Sequence, residues 1–432
     1  MGFSHALSGL NAASKNLDVV GNNISNSSTV GFKGSRTEFN EMVASAMGAS
    51  SGTNTGIGVS VAAVSQQFSQ GNITPTNSGL DMAINGDGFF VVNTATGIAY
   101  TRNGAFQLNK DGELVTVNGD VVQGYKLNLE TGERETVTPS DLEFPTGAPI
   151  PAKQTGSVSA IINLDARVDQ NATPAPARAT YGTSLEVYDE QGMATPLSMY
   201  FEKTAANTWT VYDSLDTNAE PIGQLTFSST GKLQAVAGYA GLGTDVNGLN
   251  PGDTGYTNTP TFGAATGTTL SAMVQSTNPN APNPGAWNVD IDLSNVTQLG
   301  SSFSVAKLTQ DGYASGELTN VSVSSDGTLM ATYSNGITRP EAQIALARFT
   351  NTQGLQAAGN NNWVATFDAG PPIVGTAGTG SFGAIQGNAL EDSNVDLTAE
   401  LVNMMTAQRA YQANAQTIKT QDQIFSTLVN LR

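Results

Sequence analysis

Apolar residues recur every seven positions near both ends of the chain. At the beginning, these positions are Phe3, Leu10, Leu17 and Ile24. Near the end they are Leu397, Met404, Tyr411, Ile418 and Phe425, and Leu401 widens the stripe. A seven-residue repeat gives a helix one apolar face that packs against a partner helix. The pattern therefore predicts a helix at each terminus, and the two form a coiled-coil-like pair.

Boundary signals agree with this prediction. Ser4 is a candidate N-cap for the first helix and Gly31 a candidate stop, while Asp396 is a candidate N-cap for the second. Residues 395–432 contain neither Gly nor Pro. Packing on a globular core is the simpler explanation of such stripes. Their position at the two termini, their 3.5-residue period and their few flanking charges favour pairing with each other and with neighbouring subunits.

Between the helices, short alternating runs and turn residues predict β structure. Residues 287–293 alternate apolar and polar side chains, as a half-buried strand does. Asp-Gly and Asn-Gly pairs bound short strands at residues 111–119 and 326–336. Proline-rich segments at 145–151 and 279–284 separate such runs. The predicted fold class is α+β, mainly β, with two outer all-β domains, one inserted in the other.

Composition narrows the kinds of partner. Charged residues make up 12% of the chain, against about 25% in ordinary globular proteins. Such a surface is covered by uncharged polar groups or packed against other copies. The net charge of −18 would repel a phosphate backbone, so nucleic acid is not an expected partner. No apolar run is long enough to span a bilayer, and the first residues do not resemble a cleaved signal peptide.

Candidate chemistry is sparse. The chain has no cysteine, and His5 is its only histidine, with no second ligand near it in sequence. Asp290 and Asp292 share one strand face, which would suit Ca²⁺ or a glycosidase pair but is more often a solvated face. The glycine-rich residues 375–383 lack the Gly-Lys-Ser/Thr ending of a phosphate loop. The sequence therefore predicts no catalytic, cofactor-binding or metal-binding residue.

An asparagine-rich run near the first helix is the most specific motif. Its positions are Asn22, Asn23, Asn26, Gly31 and Phe32, and further motifs follow at residues 80–90, 100–104, 390–397 and 413–420. In this order they resemble the flagellar rod and hook proteins, over about residues 1–125 and 305–432. The length of 432 residues is similar to that of hook members, because rod members with the same ends lack a large outer domain.

The resemblance implies a domain arrangement. We expect an inner helical polymerisation domain at residues 1–30 and 395–432, and an irregular linker region at 31–70 and 369–394. We expect a β domain at residues 71–147 and 305–368, and an inserted outer β domain at 148–304. The seam residues of the inner domain are those named in the heptad stripes above.

The resemblance also implies a function and partners. It implies a non-enzymatic subunit that assembles with copies of itself into the curved hook, a universal joint that transmits motor torque. The expected partners are the distal rod, the hook cap, the hook–filament junction proteins and the type III export apparatus. Export proceeds without a cleaved signal peptide, and Phe39 and Val43 are similar to a segment read by the export gate.

Two alternatives remain open on the sequence alone. A distal-rod or hook-associated protein would share the same terminal motifs. A secreted β-rich hydrolase using Asp290 and Asp292 is the remote alternative from another class.

Overall fold

A computed structural model describes residues 2–43, 56–128, 132–145, 149–169, 177–216, 219–242, 260–263, 267–275 and 286–430. The chain divides into two compact units. Unit 1 comprises Met1–Ala148 and Leu318–Arg432, and unit 2 comprises Pro149–Glu317. Each unit is described by itself.

The helices and strands are numbered in chain order. The first part of unit 1 contains α1 (Gly2–Ser25), β1 (Ser35–Val43), β2 (Gly56–Gln66), β3 (Ile73–Pro75), β4 (Met82–Asn85), β5 (Phe89–Thr94), β6 (Gly97–Thr101), β7 (Phe106–Leu108), β8 (Leu114–Thr116), β9 (Val121–Lys126) and β10 (Ser140–Asp141). Unit 2 contains β11 (Ser157–Asp165), β12 (Gly182–Tyr188), β13 (Ala194–Ala205), β14 (Thr208–Tyr212), β15 (Pro221–Phe227), β16 (Leu233–Leu242), β17 (Pro260–Phe262), β18 (Thr269–Gln275), β19 (Ala286–Asp292), β20 (Thr297–Leu299) and β21 (Ser304–Gln310). The second part of unit 1 contains β22 (Leu318–Val323), β23 (Thr328–Tyr333), β24 (Thr338–Arg348), β25 (Leu355–Gly359), β26 (Asn362–Ala365), β27 (Ile373–Thr376), β28 (Ala384–Gly387), β29 (Ala389–Glu391) and α2 (Leu397–Asn430). The mainly β fold class with a helix near each end is confirmed.

The helix boundaries match the sequence signals unevenly. Ser4 lies inside α1 rather than at its cap, and α1 ends at Ser25, well before Gly31. The Asn26 backbone N–H still makes the helical bond to the Asn22 carbonyl, at 3.1 Å, and its side-chain amide donates to the same oxygen at 3.0 Å. Beyond it the Thr29 N–H donates to the Asn26 carbonyl, only three residues back, at 3.1 Å, so the α-helical bonding pattern is lost. The Asp396 cap is confirmed, since its Oδ1 accepts from the second and third N–H groups of α2 at 2.8 and 3.2 Å.

The main sheet of unit 1 is buried on both faces. Its strands follow the order β22-β23-β24-β9-β5-β6-β26-β25. In β5, Phe90 and Val92 enter one apolar core, while Phe89 and Val91 enter a second core on the other face. A strand buried on both sides reads as a continuous apolar run, as residues 89–92 do.

The predicted linker region contains regular structure. Residues 31–70 hold the antiparallel pair β1 and β2, which runs from Ser35 opposite Gln66 to Val43 opposite Gly56. Residues 369–394 hold β27, β28 and β29. The expectation of an irregular region differs from the structure here, because β-branched residues of β2 favour a strand even where few turn signals mark its ends.

Unit 2 is a two-sheet β structure with one core. One sheet has the order β18-β19-β11-β20, with β21 also paired to β11, and the other runs from β12 to β17. Trp209, Phe201 and Ile291 are among the fully buried side chains between them. Because β21 pairs with β11 and Gly316 bridges to Ile150, the compact unit continues to Glu317, beyond the predicted domain end at residue 304.

Candidate functional site: a helix pair anchored to the β sheet

The two helices pack on each other through small residues of α1. The buried apolar side chains of α1 are Ala6, Ala12, Ala13, Val19 and Val20. A Cβ added at Gly9 would lie 2.8 Å from the Asn414 side-chain nitrogen of α2, so this side chain packs directly on the α1 backbone. The small side chains of α1 permit this close packing. The contact holds α1, near the start of the chain, against α2, near its end.

Most of α2 faces outward. Among its described side chains only Ala407 is fully buried. Its exposed apolar side chains are Leu397, Leu401, Val402, Met405, Tyr411, Ile424 and Phe425, with exposures from 38% at Tyr411 to 59% at Phe425. A helix with this much open apolar surface has room for further partners.

The predicted seam residues differ in how far this packing buries them. Leu10, Leu17 and Ile24 of α1 are half-buried, as are Met404 and Ile418 of α2. The other α2 seam positions belong to the exposed set. Phe3 lies in α1, but its side chain is outside the described residues. The seam's role in polymerisation stays a prediction.

A buried charge cluster joins both terminal segments to the sheet. Glu391, at the end of β29, accepts from the Lys33 ammonium at 2.6 Å and from the Arg102 guanidinium at 3.1 Å. The Lys33 and Glu391 side chains are wholly buried and that of Arg102 nearly so. We call these three residues the anchor. It ties the chain after α1, the chain before α2 and the β6–β7 turn together.

The backbone completes the anchor. Lys33 donates to the Ser69 carbonyl at 2.7 Å, and Arg102 donates to the Gly86 carbonyl at 2.8 Å. Glu391 accepts from the Gly71 N–H at 2.9 Å. Burial lowers the pKa of the Lys33 ammonium, and the Glu391 carboxylate opposes part of that shift. Two cations around one carboxylate give the cluster a formal excess of one positive charge.

Two signature residues shape the chain as it leaves α1. Asn23 is buried and bonds Ser35 twice, accepting from its N–H at 2.9 Å and donating to its carbonyl at 2.7 Å. Gly31 has φ +69°, and a Cβ there would lie 2.6 Å from the Asn103 nitrogen. Its N–H donates to the Glu391 carbonyl at 2.8 Å. These two positions hold the chain against the anchor.

The remaining signature residues have lighter roles. Asn22 is exposed and accepts from Asn26, as described above, while Phe32 is half-buried. Asn394, before α2, accepts from the Gly34 N–H at 2.8 Å and donates to the Gln67 carbonyl at 2.6 Å. The asparagine-rich run and its C-terminal counterpart thus meet in one hydrogen-bonded layer.

The suggested export segment lies on β1. Phe39 is 44% exposed on this strand. Val43 is the last residue of β1, but its side chain is outside the described residues. Reading by an export gate stays a prediction.

The two candidate carboxylates are held in structural contacts. Asp290 accepts from the Ser271 hydroxyl at 2.8 Å, and Asp292 accepts from the Ser294 N–H at 2.9 Å. His5 lies half-buried in α1. Within the described ranges, no group of three His, Asp or Glu side chains is placed to hold a metal ion. Neither helix, over its described residues, is long and apolar enough to cross a membrane.

Sequence reasoning missed the anchor. Lys33, Arg102 and Glu391 each lie in or beside a motif that carried the family resemblance. Nothing in the sequence pairs them, because Lys33 and Glu391 are 358 positions apart. An available signal was the presence of single cations, Lys33 and Arg102, in otherwise uncharged motifs of a charge-poor chain. Glu391 gives a weaker signal, because its motif also contains Asp392 and Asp396.

Comparisons with known proteins cover the whole chain. Residues 3–33 match the family described as flagella basal body rod protein, and residues 83–160 match the flagellar hook protein FlgE/F/G D1 domain. Residues 163–313 match the flagellar basal body protein FlaE D2 domain, and residues 386–431 match the flagellar basal body rod FlgEFG protein C-terminal family.

Full-length relatives decide the family. The flagellar hook protein FlgE of Escherichia coli strain K12 is 40% identical, and the match covers 100% of both chains. The chain belongs to the flagellar hook protein family. A second relative in this family, the FlgE protein of Borreliella burgdorferi, is 32% identical over 99% of this chain and 98% of its own. The crystal structure of Helicobacter pylori flagellar hook protein FlgE2 shares the fold of this hook-family chain, with a TM-score of 0.50 and 16% identity over 74% of this chain and 100% of that one.

Proposed function

We propose that this member of the hook protein family is the structural subunit of the flagellar hook, a curved tubular polymer that links rod and filament and transmits torque. The observation that carries the proposal is α2, a helix of 34 residues that is fixed at its start by the anchor and leaves its apolar side chains exposed. Such a helix is ready to bury its outer face against other copies.

Assembly follows from this arrangement. The anchor fixes where α1 ends and α2 begins, so each added subunit offers its helices in the same direction. Burying an exposed leucine or phenylalanine contributes about 1.5–3 kcal/mol, and several of them lie along α2. Terminal helices packed in this way form the inner wall of a tube, and the β units lie outside it.

Specific partners are part of the same proposal. The subunit meets the distal rod at one end of the hook and the hook cap or hook–filament junction proteins at the other. It is exported through the flagellar type III apparatus without a cleaved signal peptide, and the segment of Phe39 and Val43 is read at the gate. Its role is non-enzymatic.

The shape of the polymer tests the proposal against its nearest alternative. A hook subunit forms curved tubes, whereas a distal-rod protein with the same terminal motifs forms straight ones. Electron microscopy of polymer assembled from the purified full chain distinguishes the two. Straight tubes under all conditions would favour the rod alternative, and a chain that never polymerises would contradict both.

A further inference from the structure

A phenylalanine stands fully exposed at one end of the main sheet of unit 1. Phe367 is 100% exposed and follows β26, the strand that pairs with the end strand β25. Single exposed apolar side chains are common on protein surfaces, but a whole phenyl ring in water is an unusual one. Val364 and Ile373, nearby in sequence, are 39% and 53% exposed.

The turn that carries this ring is firmly held. The Thr366 hydroxyl donates to the Gly354 carbonyl at 2.6 Å and accepts from the Asp368 N–H at 3.3 Å. The Asn351 side chain donates to the Asp368 carbonyl at 3.0 Å, and Ala369 is buried. A Cβ at Gly354 would lie 2.2 Å from the Ala369 nitrogen, so this close approach requires glycine. The backbone that carries the ring is therefore held in place.

A cleft lined by both apolar and polar side chains lies at the other end of the same sheet. It is formed by β22, by residues 78–80 and by Leu108, and its volume is about 390 Å³. Leu80, Leu108 and Leu318 pack on the core beneath it, and Val321 is buried there. The cleft is narrow, because a Cβ at Gly79 would lie 2.8 Å from the Val321 carbonyl oxygen.

Projection and cleft are on opposite ends of the strand order. Among the residues that the structure describes, β22 pairs only with β23 and β25 pairs only with β26, so these strands are the two ends of the hydrogen-bonded path. A projection and a matching recess at different places on one molecule form a head-to-tail contact. Repeating such a contact gives an open helical polymer unless the rotation closes a ring.

We propose that Phe367 of one subunit inserts into the cleft beside β22 of the next copy of this chain. The proposal rests on the proposed function, and it names one specific contact outside the helical inner wall. The cleft volume is sufficient for a phenyl ring, and its floor is apolar. Because the backbone of the turn is already held, little backbone conformational entropy is lost when the ring becomes buried.

Cross-linking tests the contact directly. The chain has no cysteine, so introduced thiols are the only ones present. Polymer is assembled from full-length Phe367→Cys/Asn320→Cys double variant and treated with a flexible bis-maleimide, which tolerates pairs outside disulfide geometry. Asn320 is exposed and lines the cleft. We expect a ladder of covalent oligomers on a denaturing gel.

The control pair is Val137→Cys with Asn320→Cys. Val137 is 95% exposed in unit 1, but it lies between β9 and β10, away from the sheet end that carries Phe367. This pair gives no ladder. Mixing the two single variants gives dimers only, because each copy then offers one reactive partner.

The possible outcomes distinguish a failure of the proposed contact from a failure of the proposed function. Polymer without a ladder from the double variant overturns the contact and leaves the hook function standing. Dimers from Phe367→Cys alone, or an equal ladder from the Val137 control, also overturn it. If the unaltered chain forms no polymer at all, the proposed function falls and this contact falls with it.

A substitution gives an independent measurement. Phe367→Ser removes one buried ring per added subunit, so the critical concentration for polymerisation should rise about 10-fold or more. Val137→Ser removes an equally exposed apolar side chain and should leave it unchanged. An unchanged critical concentration for Phe367→Ser contradicts the proposal, since the exposed ring has no folding role that would compensate.

Discussion

The anchor and α2 differ in how their side chains are covered. In the anchor, three charged groups are buried within one chain, where they bond to each other and to backbone carbonyls and an N–H group. In α2, apolar side chains remain open and one alanine is fully buried. The charged groups that join the terminal segments to the sheet are thus paired inside the subunit, while the apolar outer surface of α2 is left for other copies.

The largest expected effect is a loss of assembly on substitution in the exposed face of α2. Leu401→Asp places a carboxylate on a side chain that is 46% exposed, so the free subunit should keep its helix content and its unfolding midpoint. In the polymer the same carboxylate would be buried without a partner, at a cost of several kcal/mol, and assembly should be lost. Circular dichroism and sedimentation measure the two properties.

Leu401→Met is the matched control, because it keeps an apolar side chain of similar size and should polymerise normally. Polymer from Leu401→Asp at the normal subunit concentration would show that this face of α2 is not an interface.

The second-largest expected effect is a loss of stability on substitution in the anchor. Glu391→Gln leaves Lys33 and Arg102 buried beside a neutral group, and breaking a buried ion pair costs about 3–5 kcal/mol. Urea unfolding of the full chain followed by far-UV circular dichroism should show this loss. Glu38→Gln removes the exposed partner of Arg36 and should produce no measurable change. If Glu391→Gln and Glu38→Gln were equally stable, the anchor would not contribute to the stability of the fold.

Two glycines give a smaller contrast along one segment. Gly31→Ala forces an L-residue into a left-handed conformation and a backbone clash, so it should cost about 2 kcal/mol or more. Gly21→Ala lies inside α1 with nothing within 4 Å of the added Cβ, and should stabilise by about 0.5–1 kcal/mol. Thermal unfolding of both variants measures the difference. The same sign for both would contradict the described path of the chain after α1.

The smallest effect is a pH dependence confined to the sheet. Burial, and then the hydrogen bond to Glu341, raise the pKa of Tyr333 to about 12. The folded state therefore holds this proton while the unfolded state releases it near pH 10. Stability should fall as pH rises from 10 to 12, by about 1–2 kcal/mol. Urea unfolding at several alkaline pH values should show a shallower fall of the unfolding free energy with pH in Tyr333→Phe than in the unaltered chain. Identical slopes would contradict a role for Tyr333 in this pH dependence.

The sequence predicted the local features better than the long-range ones. The heptad stripes predict both helices because helical periodicity is written in neighbouring residues. The anchor depends on a contact between Lys33 and Glu391, which no local pattern encodes. The exposure of Leu397 and Leu401 was hidden for the same reason, since an apolar stripe does not state which partner covers it.

Strand and unit boundaries failed for a related reason. The pair β1 and β2 was expected to be irregular, although Val59, Val61 and Val64 give β2 a β-branched composition. The end of unit 2 was placed at residue 304, because the pairing of β21 with β11 joins segments far apart in sequence. The first error overlooked a signal within β2 itself, whereas the second depends on a partner strand that is distant in sequence.

The two ends of unit 2 lie side by side. Ile150 and Gly316 form a bridge, as do Lys153 and Tyr313, so the chain enters and leaves this unit at neighbouring points. A segment with adjacent ends can be enlarged, shortened or exchanged without changing the course of the chain that hosts it. Evolution can therefore diversify this insert, from one bacterial lineage to another, while the flanking residues keep their sequence signatures.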